Sequence, residues 1–472
     1  MSEAIMGKLD QKWLVVISVI TGTFTVILNN SMLNPVLPEL MKIFDTDAVG
    51  VSWILTIFMI SMGMTMPVTG FLGDRYGKKK IYIIGLSLFA FGSLLGAVSQ
   101  WLSMVIAART IQGIAGGLMM PNAMALIFQA FPRNERGYAV GIYGVSAMVA
   151  PAIGPTIGGI IAENFAWYFL FLFNLPFAFL GIYFSTKYLI STKPDLSRVF
   201  DWKGFVIITA GVGAVLYVLG QGRNFEHALS WMNLGIFIIG LILIIVFIKY
   251  ELKLESPLLE LSVFKVKTYR YSIIATSAAS IGLFANLFLL PYLVQEAFEW
   301  SLVKTGLLFL PSALASGAFM TLGGRILDRK GPKLVVPTGL IILTFASLMF
   351  GFVDLSTSYW MLLAINIIHG LGLGFGNMPA TTAGMNAIPD HLVAQGSAMN
   401  NLIRQISSSL GIVIFSVYYE IRRGQYMLFD ELSVQEATLQ AINEAFILVA
   451  IIVAISIPFA YKMKGIQELE KE

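Results

Sequence analysis

Cysteine is absent from the sequence, and histidine occurs only three times, as His227, His369 and His391. Without thiols the chain has no disulfide framework, no thiolate metal site and no cysteine nucleophile. The histidines are too scattered to predict a metal cluster. A phosphate-binding GxxxxGK[ST] loop is also missing, because the nearest stretch, Gly73–Lys78, is one residue short. We therefore expect no enzyme activity, no cofactor and no metal site.

Charge is scarce as well: charged residues make up 12% of the chain and hydrophobic residues 57%. In a soluble globular protein about 25% of the residues are charged and about 45–50% are hydrophobic. The composition therefore excludes a soluble globular protein. An apolar run of about 20 residues can cross a bilayer as a helix. We predict an all-α polytopic membrane protein with fourteen spans, near 13–38, 49–72, 81–99, 101–129, 137–162, 165–187, 204–221, 231–250, 269–295, 303–327, 333–353, 358–382, 397–419 and 441–462.

The basic residues are distributed unevenly over the predicted loops. An even number of spans places both chain ends on one side of the membrane, and 24 of the 31 Lys and Arg residues fall on that side, against five on the other. Basic loops mark the cytoplasmic side. We therefore predict a multi-pass protein of the cell membrane with both termini cytoplasmic. The same asymmetry accounts for the net charge of +4, so we expect no nucleic-acid partner.

One charged motif occurs twice in the chain. Its first copy begins at Gly70 and contains Asp74, and its second begins at Gly324 and contains Asp328, 254 positions later. Weaker echoes pair 111–113 with 368–370 and Pro121 with Pro379, at separations of 257 and 258 positions. Nearly constant separations predict two homologous halves. We divide the chain into an N-terminal six-helix half, 1–190, two inserted helices with their flanking loops, 191–267, and a C-terminal six-helix half, 268–472.

Parallel repeats of six helices are the plan of the major facilitator transporters, and the chain resembles the 14-helix drug:proton antiporters of that superfamily, of the quaternary-ammonium and multidrug exporter type. The stretch GFLGDRYGKKK, from Gly70 to Lys80, is similar to the superfamily's signature between its second and third helices. The resemblance implies a gate that latches the two halves when the cavity faces outward. It assigns to this gate Gly70, Asp74, Arg75, Gly77, Lys79, Gly324, Asp328, Arg329 and Gly331.

The residue types of the motif suit such a gate. Gly70 and Gly77 permit a tight connection between helices. Asp74 can complement the positive end of a neighbouring helix. A merely basic loop would explain the charges, but it would not explain a second copy with the same spacing.

The fifth predicted helix resembles the GPxxGG antiporter signature of exporters, through Gly154, Pro155, Gly158 and Gly159. Proline and glycine at these positions predict a kinked, smooth helix face on which the opposite half can slide. Glycine-rich helices are also common in membranes for packing alone, and this alternative stays open.

Proton coupling is where the chain departs from the family. Arg109 belongs to a stretch similar to the RxxxG signature, and a buried arginine in a span is a functional candidate. The family commonly shows LDxTxxNxxLP in the first helix, and here Asn29, which cannot titrate, stands where the acid would be.

None of the 27 Asp and Glu residues falls near the middle of a predicted span. The carboxylates nearest the membrane are Glu39, Glu163, Glu296 and Glu444 at the outer ends and Asp74, Glu251 and Asp328 at the inner ends. The candidates for proton coupling are therefore Arg109, His369, Glu39 and Glu163.

Polar side chains within spans are costly in lipid and should face the bundle interior. The substrate-cavity candidates are Asn29, Asn30, Asn34, Gln112, Asn122, Asn286, Asn366, Asn400 and Arg404. The stretch 420–440 carries several charges and is predicted to be a solvated loop or hairpin.

We predict a secondary exporter that expels hydrophobic or amphipathic, often cationic, drugs in exchange for protons by alternating access. Its partners would be small amphipathic molecules, protons and the lipid bilayer, and a monomer would suffice for function. One alternative is export of a lipid-like or endogenous metabolite with weak or no proton coupling, because Asn29 replaces the acid. Another is a membrane receptor or scaffold, which would need neither the paired gate loops nor the GPxxGG helix.

Overall fold

The computed structural model describes residues 10–33, 36–46, 48–191, 194–196, 199–220, 230–254 and 257–469. Over these residues the chain forms helices and no strand. The long helices are α1 (Gln11–Met32), α2 (Ala48–Tyr76), α3 (Lys78–Ala97), α4 (Leu102–Ala130), α5 (Arg136–Asn164), α6 (Asn174–Tyr188), α7 (Trp202–Gly220), α8 (Trp231–Glu251), α9 (Lys267–Tyr292), α10 (Leu302–Lys330), α11 (Pro332–Phe350), α12 (Tyr359–Gly376), α13 (Val393–Phe429) and α14 (Val434–Tyr461). Four short helices, Leu37–Ile43, Phe169–Leu172, Met378–Ala387 and Ile466–Leu469, lie between or after them.

The length and apolar composition of these helices confirm an all-α membrane protein. Thirteen helices of the described part are long and apolar enough to cross a membrane, and α5 adds a fourteenth as a bent pair. Its parts Arg133–Pro151 and Thr156–Asn164 meet at an angle of 40°. The bend has a covalent cause, because Pro155 has no backbone N–H to donate to the carbonyl of Pro151 one turn earlier.

Two of the predicted boundaries are wrong. The first span was predicted over 13–38, but α1 ends at Met32 and a separate short helix begins at Leu37. The stretch 420–440, predicted as a loop, is almost entirely helical, because α13 runs to Phe429 and α14 begins at Val434.

The early start of α14 has a local cause. Ser433 accepts a hydrogen bond from the N–H of Glu436, and the Glu436 side chain accepts one from the N–H of Ser433, which is a capping box. The charges beyond it pair with one another: Arg422 of α13 holds Glu444 of α14 at 2.7 Å.

Each copy of the repeated motif joins two helices through one glycine. Gly77, with φ of 95°, separates α2 from α3, and Gly331, with φ of 79°, separates α10 from α11. Residues with a Cβ avoid this region of φ. The tight connection expected of the motif is therefore present at both sites.

Helices α1–α6 and α9–α14 form two groups that contact each other. Helix α5 packs along α10, and α13 packs along both α2 and α4. The end of the bundle where α1 begins, α14 ends and Gly77 and Gly331 lie is called the terminal end below. Of the inserted helices, α7 packs against α2 and α8 packs against α7. Helix α8 exposes most of its apolar side chains, as a lipid-facing helix does.

Candidate gate and transport site

The second copy of the motif binds the start of α5. Asp328 Oδ1 accepts a hydrogen bond from the N–H of Gly137 and Oδ2 accepts one from the N–H of Tyr138, both at 2.9 Å. These donors belong to the first turn of α5, where backbone N–H groups lack helical partners and the helix dipole is positive. The carboxylate of α10 thus caps a helix of the other group.

Close backbone contact accompanies this cap. A Cβ added to Gly324 would overlap the carbonyl oxygen of Gly137, and a Cβ on Gly141 would lie 2.6 Å from the carbonyl oxygen of Met320. Helices α5 and α10 can therefore approach this closely only because glycines stand at the contact.

The first copy makes the corresponding contact with the start of α13. A Cβ on Gly70 would lie 3.1 Å from Gln395 Cα. Asp74 Oδ2 accepts a hydrogen bond from Gln395 Nε2 at 3.3 Å, and Lys78 Nζ lies 3.8 Å from Asp74 Oδ1. The two copies therefore join the two groups of helices at two places, and both lie at the terminal end.

A third contact across the terminal end was missed by sequence reasoning. Arg136, at the start of α5, donates to Asp390 Oδ1 from both Nη1 and Nη2 at 3.2 Å. Its Nε donates to the carbonyl of Phe131 at 3.1 Å, and its side chain is only 7% exposed. In the sequence Arg136 counted only as a basic loop residue. The repeat contains a signal for this contact. Pro132 precedes the loop of Arg136 and Pro389 precedes the loop of Asp390, and the two prolines are 257 positions apart.

The other charged residues of the motif point elsewhere. The Arg75 guanidinium lies over the rings of Phe71 and Tyr76 at 5.9 and 5.6 Å. Lys79 Nζ donates to the carbonyl of Thr186 at 2.8 Å, and Arg329 is exposed. Arg325 of α10 is the exception, because its guanidinium lies 4.1 Å from the ring centroid of Tyr138 of α5. Contact between the two groups of helices is thus made by glycines and aspartates of the motif and by Arg325.

The GPxxGG stretch of α5 contacts its own group of helices. A Cβ on Gly154 would overlap Ser31 Oγ of α1, and a Cβ on Gly158 would overlap the carbonyl oxygen of Met32. A Cβ on Gly159 would meet nothing within 4 Å. The contact of this face with the opposite half, expected from the sequence, is not found here. The face of α5 that meets the other group lies earlier in the helix.

Arg109 is the centre of a buried polar cluster between α1, α2 and α4. Its guanidinium is fully buried and donates to Asn29 Oδ1, to Asn30 Oδ1 at 2.8 Å and to Gln112 Oε1 at 2.9 Å. Its Nε donates to the carbonyl of Ile54 at 3.0 Å. Every acceptor is neutral, so this buried cation is held by amides and a carbonyl instead of a carboxylate.

The same cluster occurs again in the second group of helices. Asn286 Nδ2 donates to Asn366 Oδ1 at 2.9 Å and lies 3.5 Å from His369 Nδ1, and Asn366 Nδ2 donates to the carbonyl of Leu308 at 2.9 Å. Each member stands 254 or 257 positions after its counterpart in the first cluster: Asn29 and Asn286, Ile54 and Leu308, Arg109 and Asn366, Gln112 and His369. The repeat therefore extends from the gate loops into the interior. Where the first cluster has Arg109 and Gln112, the second cluster has Asn366 and His369.

The remaining cavity candidates separate into two places. Arg404 Nη2 donates to Asn401 Oδ1 at 2.8 Å, and Tyr143 of α5 lies within electrostatic range of the Arg404 guanidinium. Asn400 Oδ1 accepts from Thr276 Oγ1 at 3.4 Å. These side chains line the contact between α13 and its neighbours.

Asn122, by contrast, lies beside the gate motif, because its Oδ1 is 2.6 Å from where a Cβ on Gly73 would stand. Asn34 lies outside the described residues. The outer carboxylates, Glu39 and Glu163, are both exposed at the end opposite the gate. The structure therefore does not bring Arg109, His369, Glu39 and Glu163 together. Among the described residues, no three His, Asp or Glu side chains are placed to hold a metal ion.

Comparison with known proteins agrees with this architecture. The family model described as Major Facilitator Superfamily matches residues 19–412. The chain belongs to the major facilitator superfamily, so it is a multi-pass membrane transporter.

Named relatives and one solved structure extend over nearly the whole chain. The chain is 27% identical to the lincomycin resistance protein LmrB of Listeria monocytogenes, over 90% of each protein. It is also 27% identical to the riboflavin transporter RibZ of Clostridioides difficile, over 87% of this chain and 89% of that protein. The crystal structure of the human organic anion transporter MFSD10 matches with a TM-score of 0.60 and 16% identity, covering 94% of this chain and all of that one. The predicted fold is confirmed.

Proposed function

We propose that the chain is a secondary active exporter of hydrophobic or amphipathic, often cationic, drugs, driven by proton antiport. It works as a monomer in the plasma membrane with both termini in the cytoplasm. The observation that carries this proposal is the duplicated contact at the terminal end, made by Asp328 with α5 and by Asp74 with α13. A static membrane scaffold has no need of two such matched, polar, breakable contacts.

With the termini in the cytoplasm, the end closed by these contacts faces the cytoplasm. Alternating access then requires the carboxylates of Asp74 and Asp328 to leave their partners, and Arg136 to leave Asp390. Each is a charged or charge-assisted hydrogen bond, worth about 1.5–3 kcal/mol net in a protein. Contacts of this size can be broken and remade within a transport cycle.

The similarity to LmrB supports an antibiotic or a related amphipathic compound as substrate. Arg404 of α13 and Tyr143 of α5 supply a basic group and a phenol that lie within electrostatic range of each other. For the proton we retain His369, Glu39 and Glu163 as carriers. Arg109 would tune the transfer from its amide cluster.

A second candidate function is export of an endogenous metabolite with weak or no proton coupling. It is favoured by the neutral acceptors around Arg109, which leave no titratable partner beside the cation. The similarity to RibZ makes riboflavin a natural test compound.

Both candidates are tested by efflux from proteoliposomes under an imposed pH gradient, with and without a membrane potential. Lincomycin, ethidium and riboflavin are the three compounds to compare. Drug flux that follows the proton gradient supports antiport. Drug flux that ignores the gradient refutes the antiport part, and flux of riboflavin alone favours the second candidate.

A further inference from the structure

The two inserted helices, α7 and α8, carry a pair of carboxylates that neither the gate nor the polar clusters use. Glu251 ends α8 and is 2% exposed, and Asp201 directly precedes α7. Both carboxylates converge on Gly204. A Cβ added there would overlap Asp201 Oδ2 and would lie 2.8 Å from Glu251 Oε1. The missing side chain of Gly204 is what lets the two acids meet.

Each acid has one oxygen engaged and one without a partner. Glu251 Oε1 accepts from the N–H of Leu258 at 3.2 Å. Asp201 Oδ1 accepts from the N–H of Lys203 at 3.1 Å and from the Tyr250 hydroxyl at 3.2 Å. The other oxygens, Glu251 Oε2 and Asp201 Oδ2, are buried and have no hydrogen-bond partner in the described part of the chain.

Among the described residues, no cation neutralises this pair. Among the charged side chains of the neighbouring segments, Asp201 and Glu260 act on Glu251, and both are acidic. The lysines of α7, α8 and the segment after α8 are exposed, namely Lys203, Lys249 and Lys253. Asp74 of α2 faces Lys78 of α3, and Gln395 of α13 is uncharged. Two carboxylates that share a buried site without a cation resist ionising together.

The pair is joined to the gate by a short hydrogen-bonded path. Glu251 holds the N–H of Leu258, and two residues later the N–H of Glu260 donates to Gln395 Oε1 at 2.7 Å. The Gln395 amide in turn donates to Asp74, the gate aspartate of α2. Leu258 and Leu259 are almost fully buried between these points, so the segment is anchored along its length.

We propose that Glu251 carries a proton beside the carboxylate of Asp201, and that loss of this proton loosens the segment Leu258–Glu260 from Gln395. The inserted helices thereby make closure of the gate depend on the pH at the terminal end. With the proton in place, the O–H of Glu251 donates to the carboxylate of Asp201. Once the proton leaves to solvent, two negative charges repel, Glu251 moves away from Asp201, and the N–H of Leu258 loses its acceptor.

The sign of the pH effect follows from linkage. The closed gate holds the acids together and binds the proton more tightly than the open gate. Closure is therefore favoured at low pH and is lost as pH rises. A divalent cation is a poorer occupant than a proton, because the pair offers two free oxygens where Ca²⁺ takes six to eight and Mg²⁺ takes six. The pair responds to pH at the gate, and it does not carry the proton that is exchanged for the drug. The proposal rests on the proposed function only in requiring that the terminal end opens during transport.

The test is the distance between two spin labels across the terminal end, in nanodiscs, without drug or gradient. The chain has no native cysteine, so Asn134→Cys and His391→Cys place single labels at exposed positions on the two sides of the gate. The wild type should shift from short to long distances between about pH 5 and pH 9, the range over which buried carboxyl groups titrate.

Three substitutions distinguish the effect of losing the proton from an effect on the fold. Glu251→Gln keeps an acceptor and cannot lose a proton, so it should stay closed at every pH. Glu251→Ala removes the acceptor of the Leu258 N–H and should raise the open-to-closed ratio by up to about tenfold at low pH, as the loss of one hydrogen bond to a neutral group implies. Gly204→Ala separates the acids and should open the gate at lower pH than in the wild type. Glu420→Gln, an exposed carboxylate at the other end of α13, should behave as the wild type.

Two outcomes would overturn the proposal. One is a pH-dependent distance that Glu251→Gln leaves unchanged. The other is a gate that millimolar Mg²⁺ or Ca²⁺ closes at high pH, which would assign the pair to a cation. Because no transport is measured, either result stands apart from the outcome of the drug-efflux experiment.

Discussion

Asp328 of α10 and Gly137 of α5 are joined by a hydrogen bond of 2.9 Å between carboxylate and backbone N–H, across the two groups of helices. The bond combines a helix cap, a charge and a contact between the two groups. Its counterpart, Asp74, receives the side-chain amide of Gln395 instead of a backbone N–H. The two gate contacts are thus related by the repeat but differ in chemistry.

Asp328→Asn should slow transport and leave substrate affinity nearly intact. The amide keeps the shape of the side chain but loses the charge that complements the start of α5, which costs the closed state about 1 kcal/mol. Asp74→Asn should act in the same direction. Efflux rate and equilibrium binding of the drug are the two measurements, with Glu420→Gln, at an exposed residue outside the gate, as control. A large loss of affinity would contradict a gating role.

Gly324→Ala should prevent closure of the terminal end. Its methyl group would collide with the carbonyl of Gly137, and a backbone atom cannot move aside as a flexible side chain can. Gly306→Ala, on the same helix, adds its methyl group where nothing lies within 4 Å. Accessibility of the terminal end to a membrane-impermeant thiol reagent, with a cysteine placed in the gate, should rise in Gly324→Ala alone. Equal accessibility in both variants would exclude this contact as the closing element.

Gly158→Ala should destabilise the protein by about 1–3 kcal/mol, whereas Gly159→Ala should be neutral or slightly stabilising. The first methyl group would meet the carbonyl of Met32, and the second would meet open space. The thermal unfolding temperature of the purified protein measures both. If Gly158→Ala unfolds like the wild type yet stops transport, this glycine serves movement of the helices and not packing.

Asn29→Asp should stabilise the protein and add a pH dependence to transport. The new carboxylate would receive the Arg109 guanidinium, and hydrogen bonds to a charged acceptor are worth about twice those to a neutral one. The unfolding temperature should rise at neutral pH, and efflux should acquire a titration absent from the wild type. No change in the pH profile would mean that this position does not couple protons even when it is acidic.

His369→Gln gives the second cluster the residue that the first cluster has at Gln112. The amide can keep the contact with Asn286, now 3.5 Å from the ring, so the fold should be preserved. If His369 carries the proton, efflux driven by a pH gradient should fall strongly while drug exchange without a gradient continues. An unchanged pH profile would remove His369 from the proton path.

The fold can be predicted from the sequence because it depends on the lengths of apolar runs and on the separations between repeated motifs. Apolar runs gave the spans, and Asp74 with Asp328 gave the repeat. A separation of 257 positions, close to the 254 of the two aspartates, relates Asn29 to Asn286, so the sequence also contains the signal for the paired polar clusters. What was missed depends on partners remote in the chain. Nothing near Gly154 indicates that Ser31 stands against it.

The charged stretch 420–440 leads to a wrong prediction of a loop for a related reason. The charges around Arg422 favour a solvated loop, although Ser433 and Glu436 form a capping box that marks the start of a helix. Only the pairing of Arg422 with Glu444, 22 positions away, shows why charges there are compatible with two long helices. The gate arginine Arg136 was overlooked because its partner Asp390 is 254 positions distant.

Helix α13 is 37 residues long, about 55 Å at 1.5 Å per residue, against about 30 Å for the hydrocarbon core. It is held at one end by the gate through Gln395 and at the other by the pair Arg422 and Glu444. It is therefore long enough for one end to project beyond the bilayer on the side opposite the termini. With the termini in the cytoplasm, as proposed, an antibody fragment that fixes this end to α14 would arrest the transporter from outside the cell, without reaching the gate.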